Sequence, residues 1–139
     1  MNKKIIDDNF LINFFGKEML ELGYSFVPNA LIKYKNRLGL TGNEFEFIVR
    51  LMNAYMDNKT ILRDKDLGKK SYTRERTQLY TKGYLTYETK TFLKNKEKIT
   101  GTIYNLLGLK KAIIKLIEED KTKQNTDIDN HIPKLFDDQ

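Results

Sequence analysis

The sequence predicts an α+β fold that is mainly helical and carries one antiparallel hairpin late in the chain. Apolar residues recur at intervals of three and four over most of the chain, which is the spacing of amphipathic helices. Between residues 85 and 104 the spacing changes to two, as in half-buried strands. With 139 residues the chain has room for one ordinary domain, so these elements are expected to share a single core.

The N-terminal segment, residues 1–25, is predicted to be a helical extension of that domain. Apolar side chains such as Phe10, Phe14 and Leu22 fall close to helical spacing within residues 3–22. The apolar stripe is wider than a solvated surface helix needs. It therefore either packs on the domain body or forms a dimer contact.

The domain body is predicted to cover residues 26–119 and to begin with two helices. Pro28 favours an extended conformation in the residue before it and can start a short helix. Thr41 and Glu44 then have the spacing of a capping box, which marks the start of a second helix. Behind this cap, apolar residues recur at helical spacing at Phe45, Ile48, Val49, Met52 and Tyr55.

Residues 66–85 have the outline of a helix-turn-helix. A brief helix over residues 65–70 is predicted to be followed by a second helix over about residues 72–82. The predicted ends of these helices are Asp64 and Ser71 as N-terminal caps and Gly83 as the C-terminal stop. Two apolar residues before them either add a short strand or enter the core, namely Ile61 and Leu62.

The alternating segment predicts a hairpin followed by a closing helix. Residues 85–90 form the first strand and residues 99–104 the second, with a cationic turn over residues 94–98. An amphipathic helix over residues 106–117 then closes the core. The remaining residues, 120–139, are polar and contain helix breakers, so they are predicted to be a flexible tail. Together these elements indicate a winged helix-turn-helix with an N-terminal helical extension and a C-terminal closing helix.

Positive charge is concentrated on the predicted helix-turn-helix and hairpin. The whole chain has a formal net charge of +6, whereas residues 59–98 alone hold twelve cations and five acids, a net charge of +7. Affinity for duplex DNA comes largely from neutralised phosphates and released counterions, so this distribution favours a nucleic-acid partner. A generic solvated face is the alternative interpretation.

Catalytic and metal-binding functions are disfavoured by the residues that the sequence lacks. Without cysteine there are no disulfides, thiolate zinc sites or cysteine nucleophiles, and the only histidine, His131, lies in the predicted tail. The segment Glu88-Thr89-Lys90 has the carboxylate and lysine of a metal-dependent nuclease but lacks a convincing second ligand. We therefore expect no enzymatic activity, no metal site and no cofactor.

Membrane association is not expected. No apolar run approaches the roughly 20 residues that span a bilayer. The N-terminus, MNKKIIDDNF, has early acidic residues and no small-residue cleavage site, so it does not resemble a signal peptide. These features predict a cytoplasmic protein that does not bind membranes.

Three short segments resemble a known family. Residues 79–85, LYTKGYL, are similar to the end of a recognition helix that enters a wing, with the pattern L-x-x-K-G-(aromatic or aliphatic)-L. Residues 104–109, YNLLGL, resemble the exit from the second wing strand, and residues 26–31, FVPNAL, precede the capped helix in a similar way. Over residues 26–118 the chain therefore resembles the winged-helix domains of phage and plasmid replication-initiation proteins, and small plasmid-borne DNA-binding proteins of conjugation systems.

The chain departs from this family in one place. Family members usually have an aliphatic residue one turn before the position of Leu79, where this chain has Glu75 and Arg76. Either the recognition helix is about a turn shorter, or the helix sits higher and the wing supplies part of the DNA contact.

The charge pattern and the resemblance together predict the DNA contacts. Arg74 and Arg76 can reach guanine O6 and N7 or a narrow minor groove, and Gln78 can pair with adenine. For Arg76, an ion pair with Glu75 or another acid is the alternative. Phosphate contacts are expected from Ser71, Tyr72 and Thr73, and backbone or minor-groove contacts from Lys94, Lys96 and Lys98. The predicted DNA-binding set is completed by Lys69, Lys70 and Thr77.

These features predict a double-stranded DNA-binding accessory protein. It would recognise an origin-type site of a plasmid or phage, in replication initiation or conjugative transfer, and recruit a replication or transfer enzyme. A transcriptional repressor of the winged-helix class is one alternative, and a protein-interaction adaptor is another. A homodimer is also expected, because paired half-sites gain specificity.

Overall fold

The computed structural model describes residues 8–68 and 71–137, with side-chain surroundings for residues 10–68 and 71–124. Its elements in chain order are α1 (Asp8–Phe15), α2 (Lys17–Glu21), α3 (Asn29–Tyr34), α4 (Gly42–Met56), a 3-10 turn (Asp64–Leu67), α5 (Thr73–Thr81), β1 (Thr86–Lys94), β2 (Glu97–Asn105) and α6 (Leu107–Asp137). The predicted fold class, α+β and mainly helical, is confirmed.

Helix α4 lies at the centre of the core. The predicted capping box starts it, because the Thr41 N–H donates to Glu44 Oε1 over 2.7 Å and the Glu44 N–H donates to Thr41 Oγ1 over 3.1 Å. Phe47, Ile48 and Leu51 on this helix are fully buried. The core around them includes Leu31, Tyr34, Leu38, Leu62, Leu67, Tyr72, Leu79, Leu85, Tyr104 and Leu109.

Strands β1 and β2 form an antiparallel hairpin that is longer than predicted. Its pairing runs from Thr86 opposite Asn105 to Lys94 opposite Glu97. The turn residues Asn95 and Lys96 both have positive φ angles, 52° and 66°, as a tight two-residue hairpin turn requires. The predicted boundaries were short because the adjacent apolar residues Phe92 and Leu93 interrupt the two-residue alternation in β1, and Glu97 and Lys98 in β2 are both charged.

Leu62 forms an isolated antiparallel β-bridge with strand β2. Its N–H and carbonyl exchange two hydrogen bonds with Thr102, each 2.8 Å long. Its side chain is also buried in the core. Both alternatives considered for this residue therefore hold at once. The bridge joins the segment before the 3-10 turn to strand β2 of the hairpin.

The junction between the hairpin and α6 packs too closely for any side chain at residue 108. A Cβ added to Gly108 would collide with the carbonyl oxygen of Gly83 at the end of α5. The Leu109 N–H donates to the Tyr84 carbonyl over 3.0 Å, and the Tyr84 hydroxyl donates to the Leu38 carbonyl over 2.7 Å. The predicted closing helix therefore packs directly on the turn that follows α5.

Helix α6 continues well past the predicted start of a flexible tail. The backbone is helical to Asp137. Residues 120–139 were predicted to be a flexible tail because they are polar and contain the helix breaker Pro133. The backbone is instead helical through Pro133, and the polar residues 120–132 contain no glycine or proline to interrupt the helix. Residues 138–139 lie outside the described part of the chain.

Two predicted helix starts are also corrected. Tyr72 precedes α5 and no side chain caps that helix, while the Ser71 hydroxyl lies 3.0 Å from the Thr73 hydroxyl. The shorter element before it is a 3-10 turn, in which the Arg63 N–H donates to Asp66 Oδ2 over 2.9 Å. Asp64 therefore does not cap that element, since Asp66 supplies the acceptor. Gly83 has a φ of +80° beyond the end of α5, as predicted for a helix stop.

The N-terminal extension is divided and solvent-exposed. Gly16 adopts a φ of +87° and separates α1 from α2, where the sequence predicted one helix. Seven large side chains between residues 10 and 26 are 45–92% exposed, namely Phe10, Phe14, Phe15, Met19, Leu22, Tyr24 and Phe26. The alternative in which this stripe packs on the domain body is therefore wrong for these residues. Residues 1–7 of the predicted extension lie outside the described part of the chain.

Candidate nucleic-acid interface

Helix α5 has one face in the core and one in solvent. Because successive residues turn by about 100°, positions 75 and 79 share a face, and positions 73, 77 and 81 share the opposite one. Glu75 and Leu79 are buried, so the departure from the aliphatic pattern places a carboxylate-bearing residue on the core side. The outer face is formed by the exposed residues Thr73, Arg74, Thr77, Tyr80 and Thr81.

The C-terminal end of α5 is fixed by an ion pair between Lys82 and Glu44. Lys82 Nζ lies 2.7 Å and 2.9 Å from the two carboxylate oxygens and donates to the Gly39 carbonyl over 2.7 Å. The Glu44 side chain is 0% exposed. Burial raises the pKa of Glu44, but the hydrogen bonds from Lys82 and Thr41 outweigh it and hold that pKa below its ordinary value. Lys82 is therefore a positioning residue of α5.

The N-terminal end of α5 is fixed by Tyr72. Its ring stacks on Phe47 with centroids 4.9 Å apart, and its hydroxyl donates to Glu46 Oε2 over 2.7 Å. Burial, together with the hydrogen bond to Glu46, raises the pKa of Tyr72 to about 12. The predicted phosphate contact of Tyr72 is therefore corrected, because its ring lies in the core and its hydroxyl already has an acceptor.

Arg76 lies between α5 and the hairpin. Its guanidinium carbon is 4.9 Å from the centre of the Tyr87 ring, and one terminal nitrogen is 3.4 Å from the Tyr104 hydroxyl. Its Nε is buried without a hydrogen-bond partner among the described residues. Arg76 therefore packs against the hairpin and not on the exposed face of α5, and its predicted base contact stays a prediction. The described residues provide no ion pair between Arg76 and Glu75 or another acid.

Of the two arginines predicted to contact bases, Arg74 is the one whose side chain is exposed to solvent. It is exposed on the outer face, and no ion pair or side-chain hydrogen bond engages it within residues 10–68 and 71–124. Gln78 is half-buried at the edge of that face. Ser71 and Thr73 are exposed beside it, as their predicted phosphate contacts require. Lys69 and Lys70 lie outside the described residues.

The tip of the hairpin carries a second group of available cations. Lys94, Lys96 and Lys98 are exposed, and none forms an ion pair in the part of the chain whose side chains are described. Other cations of the basic segment form ion pairs with nearby acids. Lys90 pairs with Glu88, and both Lys59 and Arg63 pair with Asp66. Within the described part of residues 59–98, the exposed cations that form no ion pair are therefore Arg74, the three tip lysines and Lys65 in the 3-10 turn.

The outer face of α5 meets the base of the hairpin through aromatic contacts. Tyr80 and Tyr87 lie edge to face with centroids 5.8 Å apart. At about 3.3 Å per residue, the tip lysines extend roughly 20 Å beyond Tyr87. The Tyr55 hydroxyl holds the strand from the core side, because it bonds both the carbonyl and the N–H of Tyr104 over 2.9 Å. The sequence did not predict these tyrosine contacts, since they join residues that are distant in the chain.

Comparisons with known proteins assign no family to this surface. No protein-family model matches the chain, and no curated protein matches it. Among the described residues, no group of three or more His, Asp or Glu side chains is placed to hold a metal ion. No described helix has both the length and the apolar content required to cross a bilayer. The functional argument therefore depends on the geometry of α5 and the hairpin.

Proposed function

We propose that this chain is a winged-helix protein that binds double-stranded DNA without catalysis, with α5 as the recognition helix and the β1–β2 hairpin as the wing. The observation that carries the proposal is that Arg74 on the outer face of α5 and the three lysines on the hairpin tip are all exposed and form no ion pair with any described residue. The order of α4, the 3-10 turn, α5, the hairpin and α6 supports this architecture. The β-bridge between Leu62 and strand β2 also supports this architecture.

Helix and wing would have different tasks on DNA. An arginine on an exposed helix face can contact guanine O6 and N7 through two parallel hydrogen bonds in the major groove. Lysines on a narrow projection suit phosphates or the minor groove, where they add affinity without reading sequence directly. Because Arg76 supports the hairpin instead of facing outward, Arg74 carries the direct guanine contact and the wing takes a larger share of the affinity.

The biological role proposed for this binding is recognition of an origin-type site on a plasmid or phage, followed by recruitment of a replication or transfer enzyme. The chain would then act as an accessory factor in replication initiation or conjugation. A winged-helix transcriptional repressor would use the same surface. The exposed apolar side chains of the N-terminal extension favour a protein partner in addition to DNA. A protein-interaction adaptor is therefore the second candidate function.

Arg74→Ala is expected to weaken binding to a selected duplex about tenfold or more and to reduce discrimination against scrambled DNA, since one bidentate arginine contact contributes roughly 1–3 kcal/mol. Fluorescence anisotropy with both duplexes at several salt concentrations measures this. Arg74→Lys should retain the salt dependence but lose the site preference. Lys111→Ala on α6 removes the same charge elsewhere and should change neither. Equal binding of the selected and scrambled duplexes by the unmodified protein would contradict sequence recognition by α5.

We further propose that a second copy of this chain covers the exposed extension. At about 200 Å² per large side chain, the seven exposed residues between 10 and 26 present about 900 Å² of largely apolar surface, and a stable interface needs about 800 Å² per partner. An apolar groove of about 360 Å³ lies between α3, α4 and α6, lined in part by Leu31, Met52 and Ile113. Reciprocal seating of α1 and α2 in the partner's groove would bury both surfaces around a two-fold axis.

Phe14→Glu combined with Leu22→Glu is expected to convert the dimer to a monomer, because it would place two carboxylates in an apolar interface. Light scattering coupled to gel filtration measures the mass. Ile113→Glu on the groove should have the same effect, whereas Leu93→Glu, at an exposed leucine on the hairpin, should leave the dimer intact. A wild-type protein that stays monomeric over the concentration range would contradict the proposed interface.

A further inference from the structure

The outer face of α5 is a stripe of three threonines. Thr73, Thr77 and Thr81 follow one another at intervals of four residues, and all three are exposed. At 1.5 Å rise per residue, the stripe is about 12 Å long. Base pairs stack about 3.4 Å apart, so a stripe of this length spans about three to four base pairs in a major groove.

The hydroxyl protons of two of these threonines are already used within the helix. Thr77 Oγ1 donates to the Thr73 carbonyl over 2.9 Å, and Thr81 Oγ1 donates to the Thr77 carbonyl over 2.9 Å. A hydroxyl has only one hydrogen to donate. Thr77 and Thr81 can therefore offer DNA only a methyl group and oxygen lone pairs. Strong donors on this face come from the neighbouring Arg74 and Gln78.

This chemistry matches one class of base pair. In the major groove, guanine presents two acceptors and so requires donors, which Thr77 and Thr81 lack. The oxygen lone pairs can accept from adenine N6 or from cytosine N4, so they do not discriminate between base pairs, whereas the 5-methyl group of thymine is present only in A·T pairs and suits an apolar methyl contact. From this we infer that α5 reads A·T pairs through apolar contact between the methyl groups of Thr77 and Thr81 and the 5-methyl groups of thymine. The inference rests on the proposed DNA binding.

The arrangement also defines the form of the site. Arg74 lies beside the first half of the stripe and prefers guanine, whereas Thr77 and Thr81 continue towards the C-terminal end of α5. The duplex that fits this face carries a guanine at one end of the segment and an A·T run after it. Lysines of the hairpin tip add to that preference, because A·T runs narrow the minor groove and attract cations there.

The test replaces thymine by uracil in the bound duplex, which removes only the 5-methyl group. A 20-base-pair duplex selected from a randomised pool is prepared with thymine or with deoxyuridine at its A·T run, and anisotropy gives both affinities. At about 0.8 kcal/mol per methyl or methylene removed from water, wild-type affinity should fall about fourfold for each contacted methyl. A selected duplex that binds tightly and equally in both forms would overturn the inference while leaving DNA binding intact.

Matched variants locate the effect on α5. Thr77→Ser with Thr81→Ser retains both hydroxyls and their intrahelical hydrogen bonds but removes both methyl groups, so the thymine and uracil duplexes should bind it equally. Thr91→Ser, at an exposed threonine of β1, makes the same chemical change away from α5 and should retain the wild-type difference. Persistence of the full difference in the α5 variant would overturn the assignment to these threonines. Failure of wild type to bind any duplex at low salt would overturn the proposed function itself.

Discussion

Lys82→Met is expected to lower the free energy of unfolding by about 3 kcal/mol, because it leaves the Glu44 carboxylate buried without its cation. Lys82 bonds both oxygens of that carboxylate, whose side chain is 0% exposed. Methionine retains most of the length and apolar volume of lysine, so the change removes chiefly the charge and the hydrogen bonds. Urea denaturation followed by circular dichroism measures the loss from the transition midpoint, provided that the slope stays constant.

The double variant Glu44→Gln with Lys82→Met separates the loss of the ion pair from the loss of packing. With no buried charge left unpaired, it should recover much of the stability that Lys82→Met loses. If the double variant is as unstable as the single one, packing of the lysine stem and not the charge pair holds α5 in place.

The pH dependence of the same pair has a defined sign. The folded-state pKa of Glu44 lies below its ordinary value of 4.5, so the stability that the pair contributes is fully present above that value. It is lost as the pH falls through the folded-state pKa, because a neutral Glu44 no longer attracts Lys82. The difference in unfolding free energy between wild type and Lys82→Met should therefore narrow in acid.

Local signals in the sequence predicted much of the fold. The Thr41–Glu44 capping box involves residues three apart, and the change to two-residue spacing marks the hairpin within a single stretch of chain. Such patterns act through neighbouring residues, so they can be recognised before the tertiary structure is known. The same reasoning failed for the end of α6, where the polar sequence carries no apolar stripe to distinguish a helix from a tail.

The candidate surface was less predictable because it depends on contacts between distant residues. Lys82 and Glu44 are 38 positions apart, and Arg76 and Tyr104 are 28 apart. Both cations belonged to the basic segment by sequence, yet one pairs inside the fold and the other supports the hairpin. Charge counting predicted the basic segment, but only burial and pairing distinguish its engaged cations, such as Lys82 and Arg76, from exposed ones such as Arg74 and the tip lysines, which form no ion pair with a described residue.

Replacing Lys94, Lys96 and Lys98 together with alanine is expected to weaken DNA binding roughly 100-fold at low salt, since this corresponds to about 0.9 kcal/mol for each of three exposed charge contacts. The slope of log affinity against log salt should fall by about three, close to one for each phosphate contact removed. All three side chains are exposed and lack ion pairs among the described residues, so their removal leaves no buried partner behind. Anisotropy titrations across a salt series measure both quantities.

A control variant with the same net charge distinguishes direct contact between the tip lysines and DNA from general electrostatic attraction of DNA to a basic protein. Lys111, Lys115 and Lys123 are exposed on α6, and replacing all three with alanine removes an equal charge from another surface. If DNA lies on α5 and the wing, this variant should retain most of the affinity and nearly the full salt slope, while site preference stays with Arg74 in both variants. Equal losses from the two triple variants would mean that net charge alone attracts DNA, because only a specific docked geometry makes the position of a lysine matter.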